Sequence, residues 1–193
     1  MHGIGSAIGS DRLLAAAETV HGEDVIAMLF NSAMETPDAA AKPAIIALGA
    51  EYLAHGTTID KFIRGAMRML VSCDSDDIEM LTKVAGIAGA VASTERYVKM
   101  LRTVHTRNSI GVFADQHGGT GTPMAASIVI VDIDTDRLLY LLGSHGLART
   151  TTFDPAHPAT ASGRSRSDTR RADGLTMTAD YARRLARILP TAG

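Results

Sequence analysis

Between Asp115 and Pro123 the chain gathers a carboxylate, an imidazole, three glycines and two threonines in nine positions. Gly118, Gly119 and Gly121 free the backbone to turn N–H groups inward, and Thr120 and Thr122 add hydroxyls, a combination that suits a phosphate. Asp115 and His117 supply an acid and a base at its entrance. The stretch lacks the lysine that follows the last glycine of a Walker loop, and its glycines are too closely spaced for a dinucleotide fingerprint. It therefore supports one reading among several: a ligand-binding loop for a phosphorylated small molecule, formed by Asp115, His117, Gly118, Gly119, Thr120, Gly121 and Thr122.

Other pairs carry weaker chemistry. Glu18 and His21 have the i, i+3 spacing that places two metal ligands on one helix face, as in four-helix di-iron sites. Such sites need a second copy, and Glu51 with His55 is one residue too long. His21 and His55 each precede a glycine, which fits helix C-termini, where a histidine meets a favourable dipole. His105 and His145 could join Asp115 and His117 only if the loop folds back, and no serine, cysteine or glutamate stands at a spacing that nominates a nucleophile. No catalytic residue, metal site or cofactor is expected. Cys73, the single cysteine, excludes an intramolecular disulfide and a cysteine-based zinc site.

These residues hang on elements that the apolar spacing predicts to be mostly helical. Asp74, Ser75, Asp76 and Asp77 open the longest helical pattern, which runs to His105, with Ile78, Leu81, Ala85, Ala88 and Ala92 on one face. From Val84 to Ala92 no residue is charged, so this segment reads as the central helix of a bundle, with Gly86 and Gly89 admitting close neighbours. Ser93 to Glu95 marks a kink or a second cap, after which Tyr97, Val98, Leu101 and Val104 read as another amphipathic helical turn. Four shorter helices precede it: one capped at Ser10 and Asp11, one opening at Glu23 and Asp24, one at Pro43, and one capped by Thr57 and Thr58. Ile110 to Ala114 and Ser127 to Ile133 are β-branched enough to make a small strand pair. Asp134 to Asp136 starts a short helix ending at Gly143, or else turns a hairpin.

Composition bounds the partners. An apolar fraction of 46% with 4% aromatics and no tryptophan implies a core of small aliphatic side chains. Positions 1–148 hold 11 Lys and Arg against 17 Asp and Glu, whereas 149–193 hold eight arginines and four aspartates, so an acidic body precedes a basic tail. Positions 149–174 carry too little apolar surface to offset ordering entropy and read as a disordered linker. A short helix then closes the chain, its face of Tyr181, Leu185, Ile188 and Leu189 available to a protein partner or to the body.

The expectation is thus a mainly α multi-helix bundle over 1–148, with a small irregular or β element near 110–133, a disordered basic segment at 149–174 and an amphipathic helix within 175–193. Its expected role is that of a non-enzymatic helical scaffold or regulator acting through association, chiefly with itself as a homo-oligomer. The alternatives are an enzyme or small-ligand-binding domain that uses the 115–123 loop above for a phosphorylated small molecule, and a nucleic-acid accessory role for the arginine-rich tail. The acidic body and the lack of lysine in the tail disfavour nucleic acid. No apolar run reaches the roughly 20 residues of a membrane span, and no leader pattern stands at the start, so a cytoplasmic location is expected.

Overall fold

The computed structural model of the protein describes residues 18, 22–35, 38–54, 59–92, 96–102, 108–115, 128–153 and 172–189. Helices α1 (Gly22–Glu35), α2 (Ala41–Ala54), α3 (Lys61–Val71) and α4 (Ser75–Val91) are followed by strands β1 (Tyr97–Arg102), β2 (Ser109–Asp115) and β3 (Ile128–Val131). Helix α5 (Thr135–Ser144), strands β4 (Arg149–Phe153) and β5 (Ala172–Thr178), and helix α6 (Ala179–Ile188) complete the order. The predicted helix capped at Ser10 and Asp11 lies outside the described residues. Among those that are described, no helix is long and apolar enough to cross a membrane.

Short polar side chains set the helix starts. Asp74 accepts from the Asp77 backbone N–H at 2.8 Å while Asp77 accepts from that of Asp74 at 3.2 Å, a reciprocal capping box. Asp134 accepts from Arg137 N–H at 3.0 Å, and Thr178 from Tyr181 N–H at 3.2 Å. For α3 the cap is Asp60, accepting from Ile63 N–H at 2.8 Å, rather than Thr57 or Thr58.

The bundle expectation is overturned by the sheet. Among the described residues five antiparallel strands run in the order β3-β2-β1-β5-β4, which makes the chain mixed α and β. Tyr97 to Arg102, read as helix from its apolar spacing, is instead the central strand. A six-residue run with Tyr97, Val98 and Leu101 satisfies either period, and the outcome is decided by neighbours remote in sequence. β1 pairs with β2 through Val98 opposite Ala114 and Met100 opposite Val112, and with β5 through Val98 opposite Met177 and Met100 opposite Leu175. The predicted linker is corrected at both ends, because Arg149–Phe153 and Ala172–Thr178 pair as β4 and β5. Backbone pairing satisfied in a sheet offsets the ordering entropy that composition alone does not.

By register, Val98, Met100, Ile110, Val112, Ile130, Leu175 and Met177 share one face, and all are buried. Helices α4, α5 and α6 pack on the sheet, and α4 also packs on α5 and on α6. Ile78, Leu81, Ala85 and Ala88 of α4 face this core as the spacing predicts. The helix is not surrounded, however: Gly86 and Ala90 are exposed. Residues this small leave little apolar surface in water, so their exposure costs little. Only Gly89 makes the expected close approach, for a Cβ there would stand 2.7 Å from Ala186 Cβ of α6.

Candidate functional site

The glycine-rich loop meets the described structure only at its first residue. Asp115 ends β2, opposite Tyr97 of β1, whereas His117, Gly118, Gly119, Thr120, Gly121 and Thr122 lie outside the described residues, as do His21, His55 and His105. Glu51 is no metal ligand: its carboxylate accepts from Arg184 Nε at 2.7 Å and from Arg187 Nη2 at 2.8 Å. Among the described residues no group of three His, Cys, Asp or Glu side chains is arranged to hold a metal.

His145 caps α5, with its Nε2 3.4 Å from Ser72 Oγ. Burial, followed by the nearby Arg68 and Arg137 cations, lowers its pKa, so the ring is neutral near pH 7. Ser72 donates to the Met69 carbonyl at 2.8 Å, which leaves its proton committed to the end of α3. The adjacent Cys73 thiol is buried and pushed up to about 12, chiefly by burial and then by Asp77, so it stays protonated and unreactive. The three side chains form a structural joint between α3, α4 and α5.

An acidic cavity of about 450 Å³ opens between the N-termini of α4 and α5, lined by Asp74, Asp76, Asp77, Glu79, Asp132 and Asp134, with Lys83 and Arg137. Sequence reading found the two caps but not their convergence, because α4 and α5 start 60 positions apart. Most of these carboxylates already hold structure. Asp74, Asp77 and Asp134 cap helices, and Glu79 pairs with Lys83 at 2.7 Å. Arg137 grips Asp77 with Nε at 2.9 Å and Nη2 at 2.6 Å, and those bonds hold the Asp77 carboxyl below its ordinary range against the opposing effect of burial. Asp132 adopts φ 55° at the exit from β3, a left-handed conformation that aspartate tolerates, and the following Ile133 N–H donates to the Asn108 carbonyl at 3.1 Å.

The apolar face predicted on the last helix is covered by the chain itself. Leu185, Ile188 and Leu189 are buried and Tyr181 is half-buried, its ring 5.3 Å from that of Phe62. Arginines of the basic tail are likewise engaged internally. Arg184 is 3% exposed; it donates to Glu51 and Asp60 and stacks over Phe62 at 4.2 Å. The stacked ring gives the guanidinium a favourable face even though Nη2 is buried without a hydrogen-bond partner among the described residues. Arg183 donates to the Ala92 carbonyl at 2.8 Å. These contacts fasten α6 to the body.

The sheet offers a surface that sequence reading did not single out. Among the described residues β3 is an edge strand, and Ile128, Val129 and Val131 are 44%, 52% and 59% exposed. By register Val129 lies beside Gly111 and Leu101 on the outer face, where the Phe113 ring leans over Gly111. The valines thus continue an apolar row. β4, at the opposite edge, carries exposed Arg149 and Thr150, the polar covering that natural edges commonly show. The β-branched run was legible in the sequence, but its edge position depends on strand order. No protein-family model matches this sequence, and comparison with curated proteins and with solved structures found no match.

Proposed function

We propose that this chain acts through protein–protein association, with a second copy of itself as the partner and the β3 side of the sheet as the contact surface. The observation that supports this reading is the run of exposed apolar side chains, Ile128, Val129 and Val131, on a strand with no described neighbour on its outer edge. Such an edge offers unpaired backbone N–H and C=O groups beside apolar surface, which favours pairing with another strand. The terminal helix is not this surface, since its apolar residues are already packed.

Sedimentation velocity of the full chain over a wide concentration range tests the proposal. The expected result is a mass that rises above the 20.3 kDa of one chain as concentration increases. A constant monomer mass throughout would overturn it.

A further inference from the structure

Resting on that reading, we infer that two copies pair β3 against β3, antiparallel about a two-fold axis, so that two five-stranded sheets become one of ten strands. Charge selects this arrangement. β3 is uncharged from Ile128 to Val131 and is followed directly by Asp132. A parallel pairing in register would set Asp132 beside its own copy at about 5 Å, the spacing between neighbouring strands. Antiparallel pairing centred on Ile130 leaves the two Asp132 residues ~13 Å apart along the strands, beyond the Debye length of about 8 Å at physiological ionic strength.

The same register matches the side chains. With Ile130 opposite its own copy, Val129 of each chain faces Val131 of the other on the outer face, so the most exposed apolar residues of β3 cover one another. The two edges of the sheet also differ, apolar at β3 and polar at β4, which disfavours an open-ended chain of β3-to-β4 contacts and favours a closed pair. A four-residue strand and its neighbours bury less than the roughly 1,200–2,000 Å² of a stable interface. The pair is therefore a reversible, concentration-dependent dimer.

Sedimentation velocity of the full chain and three variants tests this register. Val129→Lys and Val131→Glu change exposed side chains, and matching thermal melts confirm that each variant folds. Each single variant is expected to weaken dimerisation at least tenfold. The double variant V129K/V131E is expected to restore it, because each lysine then meets the glutamate of the other copy. Dimers that persist unchanged in both single variants, an unrestored double variant, or an open-ended ladder of masses would overturn the pairing while leaving self-association intact. A wild-type chain that stays monomeric would overturn both.

Discussion

Arg184 Nε donates to Glu51 Oε1 at 2.7 Å across 133 positions of sequence, with the two residues 3% and 7% exposed. The pair joins α6 to α2, and removing one partner strands a buried charge. Glu51→Ala should therefore cost about 3–5 kcal/mol, read from urea unfolding. Replacing both, Glu51→Leu with Arg184→Met, should recover most of that loss, since apolar residues of similar volume serve such sites well. A near-neutral Glu51→Ala would show that Asp60 alone compensates the guanidinium.

Two glycines three positions apart in α4 should respond with opposite signs. At Gly89 an added Cβ would lie 2.7 Å from Ala186 Cβ, whereas at Gly86 nothing lies within 4 Å. Gly86→Ala should stabilise by up to about 1 kcal/mol through helix propensity. Overpacking at Gly89→Ala costs about 1–3 kcal/mol, from which that propensity gain must be subtracted. Thermal melts of the two variants compare them directly, and equal shifts would mean that α4 and α6 do not meet at Gly89.

Acid should loosen the joint at His145. Its pKa is lowered in the folded chain by burial and by Arg68 and Arg137, so the unfolded chain binds the proton more readily. The resulting stability is present above the ordinary histidine value of about 6.5 and is lost as pH falls through the window between that value and the depressed one. Asp77, also lowered, contributes a separate loss at more acidic pH. Wild-type melting temperature should fall more steeply between pH 8 and pH 5 than that of His145→Gln; parallel curves would refute the assignment.

A chain ending at Ala148 should fail to fold cooperatively. It loses β5, which pairs with β1, and α6, whose Leu185 and Ile188 are buried. Circular dichroism should show residual helix without a sharp melt. A sharp transition would mean that the remaining strands form a sufficient sheet.

Sequence reading found the helices whose starts are written locally: Asp74 and Asp77 for α4, Asp134 for α5 and Thr178 for α6 each carry their own cap. It missed β1 because Tyr97 to Arg102 is short enough to fit the helix period as well as the strand period. Lys99, which a helix with Tyr97, Val98 and Leu101 on its apolar face would turn to solvent, is 1% exposed in the middle of the sheet. β4 and β5 were missed for a related reason, since Arg149, Thr150, Thr151 and Thr152 acquire order from a strand beginning at Ala172. The β3 valines and the acidic cavity share that cause: each gains its character from segments remote in sequence.

The position of β5 between β1 and β4 has a consequence for how the chain is made. Synthesis proceeds at about 5–20 residues per second, so β1 emerges roughly 4–15 seconds before the end of β5. Throughout that interval the nascent sheet lacks an inner member, and Val98 and Met100 lack their cross-strand neighbours Met177 and Leu175. The edge left open at β1 during that interval is unpaired backbone of the kind that chaperones, or a wrong strand of another nascent copy on the same message, can engage.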